Sequence, residues 1–247
     1  MKRIAIFAEG QTELIFIRNL LLKVLDPSKL SFECFELISH KPSTIPYQYP
    51  NPSADIHFLI LNVHGDEGVL SSIKEREKNL IEKSGYERII GLRDMYSGEY
   101  VKRSPGVIND QISNIIIQRH NQTIGDMTHF DRIKLYFAIM EIEAWFLGMY
   151  NLFSKIDSVL TVEYIKDKLG IDLTNSDPQK EYYRPSNQVN SIFQLCGREY
   201  KKKQGEIECI CSNIDSSDLD AARENNRCAC FDDFYKELFA IDPGYGS

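Results

Sequence analysis

Two glutamates flank a glycine where the first apolar run ends, Glu9 and Glu13 in FAEGQTE (7–13). A run that only needed to stop would take Asn-Gly or Pro, so carboxylates around a glycine turn suggest a site. Other apolar runs also close on acids. Asp94 ends IIGLRD within GLRDMYSGEY (91–100), Glu141 and Glu143 follow KLYFAIM, and Asp66 and Glu67 lie just beyond HFLILNV. Carboxylates gathered from distant parts of a chain repel one another unless a cation neutralises them. Hard oxygen donors with few histidines suit Mg²⁺ or Mn²⁺ rather than zinc. The chemistry of such a centre is metal-assisted phosphoryl transfer or phosphodiester hydrolysis. Taken singly, each acid has a plainer reading: a solvated turn residue, or in the case of Glu13 a complement to a helix dipole.

The elements that must carry these acids follow from the apolar pattern. Arg3–Glu9, Ile56–Val63, Arg88–Asp94 and Ile133–Met140 are short runs rich in Ile, Leu, Val and Phe. Such runs suit strands buried on both faces of a parallel sheet. Amphipathic stretches between them read as helices, the first capped by Thr12 and later ones over Val69–Lys83 and after Pro105. The alternation predicts an α/β fold with right-handed crossovers and ligands at the carboxyl ends of the strands. Phe32–Ser39 reads as an edge strand and KPSTIPYQYPNPSAD (41–55) as an ordered loop. The expected organisation is a core over 1–150 and a helical extension over 151–247, with helices at Val162–Leu169, Asn187–Lys203 and Phe231–Phe239.

Composition narrows the function classes. The 247 residues are 43% hydrophobic and 26% charged, as in ordinary soluble proteins. No run approaches the roughly 20 apolar residues that cross a bilayer. Met1-Lys2-Arg3 leads into a strand without a secretory cleavage pattern, so the expected compartment is the cytoplasm. A net charge of −7 argues against a surface coated for non-specific nucleic-acid binding, although Arg198 with Lys201, Lys202 and Lys203 forms one basic cluster. Six cysteines in a cytosolic chain are not a disulfide framework. Cys209/Cys211 and Cys228/Cys230 offer a structural zinc, against which small buried thiols are the simpler reading, because ribbons more often use Cys-x-x-Cys. The sequence holds neither a Gly-x-Ser-x-Gly elbow nor a Gly-rich phosphate loop.

EGQTE at a strand–helix turn, an acid ending a later strand and then IEAWFL together resemble the Toprim fold. The closer likeness is to Toprim-like proteins of bacterial defence and mobile-element loci, including the nuclease domains of overcoming-lysogenization-defect proteins. YRPSNQ (183–188), REYKKK and CFDDFYKEL add local likeness. The resemblance covers about residues 3–150 well and the tail loosely. It implies a parallel core of about four strands with helices on both faces. It implies Mg²⁺ or Mn²⁺ held by Glu9, Glu13 and Asp94 with Glu143 or Glu141, and a phosphate-contacting lysine at Lys201 or Lys203. It also implies a nuclease acting on DNA or RNA as an antiviral effector, working with a separate ATPase from a neighbouring gene. The sequence departs from the family's Asp-x-Asp at Asp94-Met95-Tyr96, since a phenol stays protonated at neutral pH and is a poor Mg²⁺ ligand. That departure supports an alternative, a non-catalytic Toprim-like module that regulates a partner protein.

Overall fold

The computed structural model describes residues 1–224 and 227–240, with the side chains of Asp66 and Glu67 outside the described set. Strands β1 (Lys2–Ala8), β2 (Leu30–Ile38), β3 (Lys41–Thr44), β4 (Ile56–Asn62), β5 (Arg88–Asp94) and β6 (Ile133–Ala138) form one sheet in the order β3-β2-β4-β1-β5-β6. β1 pairs in parallel with β4 and β5, and β4 in parallel with β2; β3 runs antiparallel to β2. The helices in chain order are α1 (Gln11–Val24), α2 (Asp66–Lys78), α3 (Gly98–Arg103), α4 (Asp110–Gly125), α5 (Glu143–Gly148) and α6 (Leu152–Ile156). They continue with α7 (Val162–Leu169), α8 (Pro178–Glu181), α9 (Pro185–Gln194), α10 (Gln204–Asn213), α11 (Ser216–Arg223) and α12 (Ala229–Phe239). The fold is therefore α/β with a mostly parallel sheet, as the alternating pattern predicts, and the sheet has six strands rather than about four. Among the described residues no helix is long and apolar enough to cross a membrane.

The chain divides into two compact units, and the division is discontinuous. The first contains Met1–Asp94 and Gln111–Phe137, the second Met95–Asp110 and Ala138–Ser247. The boundary near residue 150 suggested by the change of pattern falls inside the second unit. Periodicity marks where elements lie but not which of them share a core.

In the first unit, Ile4 to Ala8 of β1 are fully buried, as a central parallel strand requires. Helix α1 packs on β1 and β4, and α2 on β1 and β5. The α2 contact depends on Gly91, where a Cβ would lie 2.4 Å from Leu135 Cδ1 and 3.1 Å from Val69 Cγ1. Helix α1 begins two residues earlier than Thr12 suggests: Gly10 is its N-cap and Thr12 is buried within the first turn. The expected edge strand is second from the edge. Ser39 and His40, at φ 48° and 64°, turn the chain into β3, and Ile38 pairs with Lys41. Positive φ at both central residues is the primed hairpin geometry, usually announced by Asn-Gly. Pro42 is tolerated because an outermost strand leaves one side of its backbone unpaired.

The second unit is built around α5, all six residues of which are buried. Trp145 is fully buried with ring centroids 5.1 Å from Phe231 and 5.7 Å from Phe234, and its Nε1 donates to Cys230 Sγ at 3.2 Å. Gly148 faces α12 so closely that a Cβ would stand 2.5 Å from Cys228 Sγ. The helix expected over Asn187–Lys203 spans only Pro185–Gln194, because left-handed Gly197 and Lys202 turn the chain away.

Candidate functional site

In the first unit, three of the expected acids stand where adjacent strands end. Glu9 follows β1; its N–H donates to Leu92 O at 3.0 Å and its carbonyl accepts from Gly65 N at 2.9 Å. Its carboxylate crosses to the neighbouring strand end, where Oε2 accepts from Asp94 N at 2.9 Å. Asp94 is the last residue of β5 and is buried. Glu13 lies in the first turn of α1, 4% exposed, where the helix dipole favours its charge. A Cβ on Gly10 would lie 3.1 Å from Glu13 Oε2. Gly10 itself has an extended backbone, so the glycine provides space for the carboxylate rather than an unusual dihedral.

Behind Asp94 lies a contact the sequence did not reveal. Arg93 is buried; its Nε donates to Asp94 O at 3.3 Å and its Nη1 meets His120 Nε2 at 3.0 Å. His120 Nδ1 lies 2.8 Å from Ile116 O, which can only accept. The ring therefore carries its proton on Nδ1 and accepts from arginine on Nε2, which makes it a neutral imidazole. The guanidinium sits 5.5 Å from the Phe137 ring centroid. A buried arginine and one histidine tautomer thus fix the peptide of Asp94. A lone arginine inside an apolar strand was the available signal.

The remaining acids belong to the second unit. Past β6 the backbone is held by Met95 N on Ala138 O at 2.8 Å and Tyr96 N on Met140 O at 2.7 Å, with Met140 left-handed at φ 62°. Glu141 Oε2 accepts from Ser186 N at 2.9 Å; its Oε1 lies 3.3 Å from Lys202 Nζ and 3.7 Å from Arg184 Nε. Glu143 Oε1 accepts from Tyr200 Oη at 2.7 Å, and its Oε2 pairs with Lys202 Nζ at 2.9 Å. The two carboxylates are 5% and 0% exposed. Either one would have to part from Lys202 before its Lys202-facing oxygen could serve a metal ion.

The lysine beside these acids is Lys202, not Lys201 or Lys203. Lys201 pairs with Glu199, and Lys203 is the N-cap of α10, its N–H donating to Glu206 Oε2 at 3.0 Å. The left-handed backbone at Lys202 turns the middle lysine inward. Arg184 was also missed. Its Nη1 donates to Tyr96 Oη at 2.6 Å and its guanidinium lies 4.3 Å from the Tyr96 ring centroid. Near Tyr96, Glu99 is exposed and pairs with Arg103 at 2.9 Å. Asp66, which follows strand β4, has its side chain outside the described residues.

The cysteines have separate surroundings. Arg198 donates to Cys209 Sγ at 3.4 Å, Cys211 is buried in α10, and Cys228 Sγ lies 3.8 Å from Ala144 O. Cys230 also accepts from Gln179 Nε2 at 2.7 Å, and burial pushes its thiol up to about 12. Among the described residues no group of three or more His, Cys, Asp or Glu stands close enough together to hold a metal ion as placed. An open site for a hydrated cation does not need such a group, since Mg²⁺ keeps several waters and takes one or two carboxylates.

A family model described as a domain of unknown function, DUF4276, matches residues 8–238. Neither the curated proteins nor the solved structures contain a match.

Proposed function

For a chain that belongs to the DUF4276 family, we propose hydrolysis of phosphodiester bonds in nucleic acid, dependent on a divalent cation held by Glu9, Glu13 and Asp94. The observation that carries this reading is the carboxylate of Glu9 reaching from the end of β1 to the main chain of Asp94 at the end of β5. Ligands of open parallel sheets bind at such strand ends. The donor set fits Mg²⁺ or Mn²⁺, being all carboxylate and positioned by strand ends and a first helical turn. A bound divalent cation supplies a Lewis acid for a phosphoryl oxygen and an acidified water. Arg93 and His120 keep the Asp94 peptide in place, and the helix start around Glu13 favours negative charge nearby. Glu141 and Glu143 orient Lys202, whose ammonium is the group suited to a phosphate oxygen.

The resemblance to defence-locus nucleases supports a role as an antiviral effector silent until a partner ATPase from a neighbouring gene triggers it. A second reading, a regulatory module without catalysis, draws on Tyr96, whose hydroxyl is engaged by Arg184. The discriminating assay offers plasmid DNA, single strands and tRNA with Mg²⁺, Mn²⁺ or EDTA, in the presence of the neighbouring ATPase. Cation-dependent cleavage that disappears in Glu9→Gln is expected. Identical behaviour of wild type and Glu9→Gln under those conditions leaves the regulatory reading.

A further inference from the structure

The geometry points to a phosphate-binding site in the second unit, built on Arg184 and Lys202, that takes a phosphodiester group of a nucleic-acid strand without any metal. The identity of the ligand rests on the proposed substrate class; the site itself rests on the side chains. Its carboxylates and cations are layered. Glu141 and Glu143 are 5% and 0% exposed, while Arg184 and Lys202 in front of them are 44% and 36% exposed. Solvent therefore meets the cations, although the two charge types balance.

Arg184 is oriented with little of its hydrogen-bonding capacity consumed. A guanidinium carries five N–H groups. Among the described residues one is donated, by Nη1 to Tyr96 Oη, and Nε stays 3.7 Å from Glu141, beyond hydrogen-bond reach. The Tyr96 ring supports the guanidinium plane from 4.3 Å. Tyr183 meets Tyr96 edge-on at 5.5 Å, and its own hydroxyl is anchored on Ser104 O at 2.8 Å. A guanidinium fixed in its plane, with donors facing solvent, matches the bidentate geometry of a phosphate.

The choice of tyrosine at position 96 then has a physical sense. A carboxylate there would pair with Arg184 and take the donors that phosphate needs. A phenol holds the arginine in place through one N–H and leaves the other donors of the fork to solvent. Lys202 supplies a second charge, held by Glu143 at 2.9 Å and by its left-handed backbone.

The test reads binding of a fluorescein-labelled single-stranded oligonucleotide by anisotropy, in EDTA, across a salt series. Arg184→Ala is expected to weaken binding roughly tenfold and to reduce the slope of log affinity against log salt by about 0.7. Arg184→Lys keeps the charge but loses the fork, and falls between the two. Tyr96→Phe costs a few-fold at most, whereas Tyr96→Asp matches Arg184→Ala. Binding by Arg184→Ala or Tyr96→Asp equal to wild type, with the same salt slope, overturns the site. Competition by pyrophosphate as effective as by oligonucleotide overturns the assignment to a strand. Unchanged binding in these variants beside Glu9-dependent cleavage leaves the metal reading standing. Arg184-dependent binding without cleavage under any cation removes the nuclease and keeps the site.

Discussion

The two units hold their acids in opposite ways. In the first, Glu9 is tied to main chain: its amide, carbonyl and one carboxylate oxygen all bond to backbone atoms of neighbouring segments. In the second, Glu141 and Glu143 meet Lys202 and Arg184, with Tyr200 and one backbone amide completing their bonds. A main-chain tie sets a carboxylate's position without itself cancelling the charge. Ion pairs set position by cancelling charge, so buried carboxylates become supports for the groups in front of them. Acid at a strand end therefore has two meanings, and the partner decides between them.

The largest test of this contrast is catalytic. Glu9→Gln keeps an oxygen for Asp94 N but removes the charge, and should lower cation-dependent cleavage by about a thousandfold with an unchanged melting temperature. If Glu143→Gln costs as much at equal stability, the distinction between metal-facing and supporting acids fails. The next effect is on stability. Lys202→Met leaves two buried carboxylates without their shared ammonium and should destabilise the protein by about 2–3 kcal/mol in urea unfolding, less than for a fully buried pair because of solvent screening. A variant as stable as wild type would mean that Glu141 and Glu143 do not depend on Lys202.

Gly91→Ala tests the scaffold of the first site alone. Its Cβ meets Leu135, Ile73 and Val69, and the expected loss is about 1–3 kcal/mol. The smallest effect is a pH dependence of the same unit. Burial lowers the pKa of His57, opposed by Glu33 and aided by Arg3, while Ser31 Oγ lies 3.0 Å from its Nδ1. A base with a lowered folded pKa contributes stability above its unfolded value, which is lost as pH falls through the folded value. The protein should therefore lose stability through this residue as pH falls below roughly 6.5. His57→Gln should flatten that part of the stability–pH curve.

Much of the frame was legible because burial on both faces writes a strand as a continuous apolar run. Arg88–Asp94 has the boundaries its composition suggests, and so does the helix Val162–Leu169 with Thr161 before it and Gly170 after. Glu9, Glu13 and Asp94 were visible for the same reason: an acid ending an apolar run is conspicuous. The hairpin at Ser39-His40 was hidden because neither residue announces a left-handed turn. Lys202 was hidden among three adjacent lysines, where only a backbone dihedral selects the one that faces the acids. Arg184 and His120 act through contacts with residues 88 and 27 positions away, which no local pattern encodes.

The discontinuous division of the chain also orders events during synthesis. The segment Met95–Asp110 emerges early, but its partners in the second unit begin at Ala138, and Arg184 follows Tyr96 by 88 residues. A nascent chain released at residue 137 has every segment of the first unit and a stranded piece of the second. Such a fragment carries Glu9, Glu13 and Asp94 yet lacks Arg184 and Lys202. The second unit therefore cannot complete its core until the chain is made well past Ala138, whereas the first needs nothing beyond Phe137.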